Sequence, residues 1–146
     1  MDNKVIHFNT IILIVLRELR RENFTHQAAL AEVCGKSLSA WSKIESGKSP
    51  LSMALFCRIC HYFNLQPAVV LYAVDRIALL FSQNGYAIVL NEDNIDADTM
   101  INKVNSYYKE HPHKINGNPY SILSIPYDSM GNLIIPEVIA WCLGRM

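Results

Sequence analysis

Long apolar runs are missing from this chain of 146 residues. Ile11 to Leu16 stops at Arg17, and Ala68 to Phe81 is broken by Asp75-Arg76. Both fall short of the roughly 18 uninterrupted apolar residues that a bilayer span needs. The expectation is therefore no membrane association and a cytoplasmic location. An excess of one charge is missing too, since 13 Lys and Arg balance 13 Asp and Glu, which argues against a general polyanion coat. There is no glycine-rich phosphate loop, no pair of catalytic carboxylates and no zinc-ligand spacing, and neither repeats nor low-complexity tracts interrupt the sequence. Four cysteines in a reducing compartment are expected to be thiols rather than a disulfide framework. These absences leave a globular chain with no expected cofactor and no expected catalytic site.

What is present is concentrated between Leu16 and Leu65. Apolar residues at Leu30, Val33 and Cys34 and again at Leu38, Trp41 and Ile44 lie at helical spacing on either side of Gly35. Ala31 is small where two helices would cross closely. Gly35 stands where the turn needs a left-handed backbone. Ser37 precedes the second run and can accept the free amide hydrogens of its first turn, so it reads as an N-cap. With Trp41 and Ile44 facing the first helix, Leu38, Ser39, Ser42 and Lys43 turn outward.

The joint spacing of Leu16-Arg17-Glu18-Leu19-Arg20, Gln27, Leu30-Ala31, Gly35, Ser37, Ile44-Glu45 and Gly47-Lys48 resembles the Cro and phage-repressor class of helix-turn-helix proteins, also called XRE-like. The resemblance covers about a third of the chain. It implies that Gln27 contacts a DNA phosphate and braces the recognition helix, that Leu38, Ser39, Ser42 and Lys43 read bases, and that Trp41 takes the buried aliphatic position. Lys36, Ser37 and Lys48 would join Gln27 on phosphates. The chain departs from the family pattern twice. His26 stands between Thr25 and Gln27, where the family caps its helix directly. Leu38 cannot donate a hydrogen bond, although it can pack on a thymine methyl group. Local charge agrees with a small DNA footprint: Arg17, Arg20, Arg21, Lys36, Lys43, Lys48 and Arg58 outnumber Glu18, Glu22, Glu32 and Glu45.

Other motifs read as structure. Cys57-Arg58-Ile59-Cys60-His61 has the haem-attachment pattern, but registered from Gly47 its cysteines fall inward with Met53, Phe56 and Phe63 and read as small hydrophobes. Asp128-Ser129-Met130 resembles the nucleophile segment of self-cleaving repressors, yet no lysine follows Lys114 to serve as base. His26, His111 and His113 read as solvated and His61 as a packing residue. Pro67 opens a helix running to about Gln83 that is apolar on more than one face. Tyr86 to Leu90 suits a strand, and Asp96 to Glu110 a helix with Met100, Ile101, Val104 and Tyr108 inward. Tyr120 to Pro126 and Leu133 to Ile135 are strand-like, and Pro136 to Leu143 is a short closing helix.

The expected fold is a mainly α N-terminal helix-turn-helix domain of about five helices over residues 5–83, with a small α+β C-terminal domain over residues 84–146. The expected function is a sequence-specific transcriptional regulator, a homodimeric repressor on a double-stranded DNA operator. Its dimer contacts are sought among Ile11, Ile14, Val15, Val70, Val74, Ile77, Ile134, Ile135 and Val138. The alternative is an antitoxin-like protein whose C-terminal domain binds a toxin or other protein partner, and a ligand-sensing C-terminal domain is a third reading.

Overall fold

The computed structural model describes residues 4–90, 100–112, 121–124 and 130–145. Among them run β1 (Val5–His7), α1 (Phe8–Glu22), α2 (Gln27–Val33), α3 (Leu38–Glu45), α4 (Met53–Tyr62), α5 (Pro67–Gln83), β2 (Ala87–Val89), α6 (Met100–Glu110) and α7 (Glu137–Cys142). The chain is mostly helical, with a helix-turn-helix arrangement in its N-terminal half.

Each of the first five helices is closed in one way. The residue after the C-cap turns left-handed, at Phe24, Gly35, Gly47, Asn64 and Gly85. The next two amides then return to the last turn, as in Gly35 N–H to Glu32 O and Lys36 N–H to Ala31 O. These paired bonds satisfy carbonyls that would otherwise lack partners at the helix end. At Gly35 a Cβ would meet nothing within 4 Å, so only the left-handed backbone calls for glycine. Gly47 is under a second constraint, because a Cβ there would lie 2.9 Å from Ile101 Cγ1 of α6.

The core is continuous. Ile6, Ile11, Ile14, Trp41, Phe56, Ile59, Val70, Val74 and Phe81 cluster with Met100, Val104, Tyr107, Tyr108, Val138, Ile139 and Cys142, so the described residues on both sides of position 83 share it. Helix α1 packs against α5, β1 and α6. Its N-terminus is capped by His7, whose Nδ1 accepts the Asn9 amide at 3.2 Å. Strand β1 pairs in parallel with β2, Ile6 opposite Ile88, and Ile6 is fully buried.

Several expectations are corrected. Ile11, Ile14, Val15, Val70, Val74, Ile77 and Val138 are all buried in the chain's own core, while Ile134 and Ile135 are half-buried, so the first seven are not left over for a partner. Residues 121–124 form a turn rather than a strand, and between Leu133 and Ile135 only Leu133 makes a bridge. In α6 the inward residues include Tyr107, while Ile101 is half-buried against Gly47. Residues 96–99, 113–120 and 125–129, which carry the expected start of α6, His113, part of the Tyr120 to Pro126 segment and Ser129, lie outside the described residues.

Polar contacts tie α6 and α7 to α1. The Tyr108 hydroxyl donates to Glu18 Oε2 at 3.0 Å, Arg21 pairs with the same oxygen at 2.9 Å, and Arg21 Nη2 donates to the His111 carbonyl at 2.9 Å. His111 is half-buried and stacked on Tyr107 at 4.5 Å, not solvated as expected. Tyr107 donates to Glu137 and Trp141 to the Lys103 carbonyl, each at 3.2 Å. Glu22 accepts the Ile122 amide at 2.6 Å.

Burial shifts several of these acids upward. The Glu18 carboxyl is raised, Tyr107 is pushed up to about 12, Tyr108 lies well above the usual phenol range, and the Cys60 thiol is pushed up to about 11. The unfolded chain ionises its thiols and phenols first, so the stability tied to these groups is fully present below about pH 9 and falls as pH rises through the folded values, while that tied to the Glu18 carboxyl is already lost at lower pH, above its own raised value. Thermal unfolding midpoints should hold steady from pH 7 to about 9 and drop beyond it, and Tyr108→Phe should flatten that drop. Gly35→Ala should cost about 1 to 2 kcal/mol. Gly47→Ala should cost more, and a double-mutant cycle with Ile101→Ala should show that removing the branch relieves part of the penalty. Denaturant titration reads each value.

Candidate nucleic-acid interface

Helices α2 and α3 close on one another around Trp41, which is 1% exposed, with Leu30, Ala31, Cys34 and Ile44 also buried. The Ser37 hydroxyl accepts the Ala40 amide at 3.1 Å, satisfying the first turn of α3. His26 occupies the N-cap of α2 without a side-chain bond, so the inserted residue leaves that helix uncapped by its side chain.

The side chains suggested as base-reading residues share the outer side of α3. Leu38 is 53% exposed, Ser39 and Lys43 are exposed, and Ser42 is half-buried. Lys36 and Lys48 are exposed in the turns before and after α3, each with its backbone held by a bond to the preceding helix. Ser37 is exposed as well. Gln27 is half-buried and donates through Nε2 to Glu45 Oε1 at 3.2 Å, which braces α2 against the end of α3.

Glu45 is the centre of the motif, and it is 3% exposed. Arg20 grips it through Nη2 to Oε1 at 2.7 Å and through Nε to Oε2 at 3.1 Å. Trp41 Nε1 donates to Oε2 at 2.8 Å. Arg17 Nε lies 3.1 Å from Oε1 without hydrogen-bond geometry, as an electrostatic neighbour. Arg20 also donates to the Thr25 carbonyl at 3.0 Å, fixing the loop between α1 and α2. Reading the sequence for outward residues missed both members of this pair. The signal was available: Glu45 stands four residues after Trp41 and so falls on the buried stripe of α3.

The structure also corrects the charge count. Arg17, Arg20 and Arg21 are all engaged with Glu18 or Glu45, and the carboxylate of Glu22 is bonded to residues 121 and 122. The exposed charges of this region are Lys36, Lys43, Lys48 and Arg58 against Glu32. The outward field is therefore positive on and beside α3, and it comes from lysines and not from the arginines of α1.

The cysteine pattern on α4 has a structural reading. Ser52 caps the helix by accepting the Leu55 amide at 3.1 Å, and the inward stripe is Phe56, Ile59 and Cys60. Cys57 and Phe63 are half-buried. Met53 is 63% exposed in the first turn, contrary to expectation, and His61 is exposed, not packed. Among the described residues no three His, Cys, Asp or Glu side chains gather as a metal site. No single helix there is long and apolar enough to cross a membrane, and α4 and α5, which would suffice together, are bent by 109°.

Residues 14–71 match the protein family described as a helix-turn-helix domain, and that segment, from within α1 to the early turns of α5, is such a domain. The match is consistent with an XRE-like regulator and implies binding to DNA. No curated protein and no solved structure matches the chain.

Removing the Glu45 carboxylate strands Arg20 in a nearly closed site. Glu45→Ala should cost about 3 to 5 kcal/mol, as expected when one member of a buried pair is lost. Gln27→Ala, which removes one neutral donor from the same carboxylate, should cost about 1.5 to 3 kcal/mol. Trp41→Ala should cost about 3 to 5 kcal/mol by opening a cavity. Urea unfolding followed by circular dichroism measures all three, and equal losses for Glu45→Ala and Gln27→Ala would contradict the central place given to Glu45.

Proposed function

We propose that this protein is a dimeric, sequence-specific transcriptional repressor that occludes a promoter by seating two copies of α3 in successive major grooves of an operator. The observation that carries this reading is the outer side of α3. It presents small hydrogen-bonding groups and one apolar side chain, and exposed lysines stand at both flanks while the arginines of α1 are turned to internal pairing. A helix N-terminus held by Ser37 suits entry into a major groove, where the recognition helices of this class dock.

In this reading Ser39, Ser42 and Lys43 meet base edges and Leu38 packs against a thymine methyl. Lys36, Ser37, Lys48 and Gln27 contact phosphates and fix register without reading sequence. Gln27 would do so while remaining bonded to Glu45, which transmits the position of the phosphate to the end of α3. Two half-sites about 34 Å apart on the operator would match two copies of the motif. The protein would act in the cytoplasm, with no catalytic step of its own. A protein partner for the C-terminal region would add to the same DNA-directed module and would not replace it.

Sequencing the DNA fragments retained by the purified chain supplies the operator. On it, Lys43→Ala and Ser39→Ala should cost about 1 to 3 kcal/mol and less on random DNA. Lys48→Ala should weaken binding to all sequences alike and reduce the salt slope by about one. Equal losses on operator and random DNA for Lys43→Ala would remove it from the base-reading set.

A further inference from the structure

We infer that Phe24, in the turn between α1 and α2, is a further contact residue for DNA, its ring lying against the deoxyribose of the strand whose phosphate meets Gln27. This deepens the reading of the helix-turn-helix as a DNA-binding surface and rests on it for the position of that strand.

The turn carries an aromatic ring that the fold does not use. Phe24 is 87% exposed, the highest value among the large apolar side chains of the described residues. Its backbone is left-handed, with φ at 52°. The corresponding positions after α2, α3, α4 and α5 are Gly35, Gly47, Asn64 and Gly85, residue types that take this conformation at little cost. A bulky side chain is strained there, and no burial offsets the strain at Phe24. Such an outlier persists only where its surroundings hold it, and it points to a use outside the fold. The holding groups are on both sides. Asn23 Nδ2 donates to the Leu19 carbonyl at 2.7 Å, Phe24 N–H to the Arg21 carbonyl at 3.1 Å, and Thr25 N–H to the Arg20 carbonyl at 2.9 Å. Arg20, itself bonded to Glu45, donates to the Thr25 carbonyl at 3.0 Å. The ring is presented from a backbone already ordered, which spares a contact most of the entropy of fixing a loop.

Position and chemistry select the occupant. Three residues separate Phe24 from Gln27, at most about 11 Å of extended chain. Gln27 is bonded to the same Glu45 carboxylate that Arg20 grips, so the ring and the phosphate-directed amide belong to one braced unit. With a phosphate at Gln27, the ring meets the nucleotide beside it. A side chain with no charge and no hydrogen-bonding group suits the C–H surface of a sugar and not a phosphate oxygen. Contacts to the sugar position the protein without reading sequence. They also release no counterions, so they leave the salt dependence of binding untouched.

The test measures the full chain on its operator fragment and on random DNA at several salt concentrations, beside urea unfolding. Phe24→Asn should raise the urea midpoint, because strain is removed and no burial is lost. It should weaken binding about threefold to tenfold on both DNAs, with the salt slope unchanged. Phe24→Tyr, which keeps the ring, should bind as the parent does. Parent-level affinity in Phe24→Asn would overturn the contact. A loss confined to the operator would turn the ring toward bases and overturn the sugar assignment, and a lowered urea midpoint would show that the ring supports the fold instead. Failure of the DNA reading looks different: a parent chain that retains no DNA removes the whole surface, whereas a parent that binds no better than Phe24→Asn removes Phe24 alone.

Discussion

A carboxylate that is nearly closed off from water dictates how the three helices of the motif meet. Burying Glu45 forfeits its hydration, and the loss is offset only if donors surround it with good geometry. Arg20 from α1, Gln27 from α2 and Trp41 from α3 itself supply those donors, and Arg17 adds its charge. The net gain in stability from such a group is modest compared with the same volume filled by apolar side chains. Its contribution is directional. Apolar contacts tolerate rotation of a helix about its axis, whereas hydrogen bonds from three directions to two oxygens do not. The rotation of α3 settles which of its residues face outward, so the composition of its exposed side follows from a group that is itself buried.

Helix α1 carries this constraint on one side and a second cluster on the other. Arg17 belongs to both: its guanidinium lies 4.3 Å over the Tyr108 ring and donates to Asn105 at 3.3 Å, while Nε sits beside Glu45. Asn105 in turn donates to the carbonyl of Ser46, the residue that ends α3, at 3.0 Å. Ile101 lies where a side chain at Gly47 would go. Helix α6 is therefore bonded and packed to the C-terminal end of α3, and the residues beyond position 83 help to hold the helix-turn-helix segment. Arginines spent in this way cannot act on phosphates, which is why the exposed lysines dominate the outward charge.

Much of the motif was legible from the sequence because its signals are local. The spacing of Leu30, Cys34, Trp41 and Ile44, the turn glycine and the Ser37 cap each report on neighbours within one or two helical turns. Helices α4 to α7 were legible for the same reason, to within a few residues. What was hidden depends on long-range pairing. Three residues at Val5–His7 are too few to show alternation, so β1 was invisible until its partner was seen. The apolar residues of α1 and α5 looked surplus because the core of a small motif was filled first in the count, although α6 and α7 had still to be packed. Arginines were read as free charge because an ion pair leaves no trace in composition. The outward face of α3, by contrast, was inferred from its buried face, and the structure places Leu38, Ser39 and Lys43 on the exposed side.

The parallel pairing of β1 with β2 has a consequence for how the chain comes to its native form. Val5 registers with Ala87, so the two strands that meet are separated by the whole of α1 to α5. Helices and their short connections close quickly, while joining ends so far apart waits on the entropy of a long ring. The helix-turn-helix segment should assemble early and the ring be sealed late. During that interval the face of α1 that receives α6 is uncovered, and nascent chains are open to mispairing until the later part of the sequence arrives. The segment that matches the family, residues 14–71, is thus smaller than the set of residues that share one core. Selection on DNA reading and selection on folding act on different lengths of the same polypeptide.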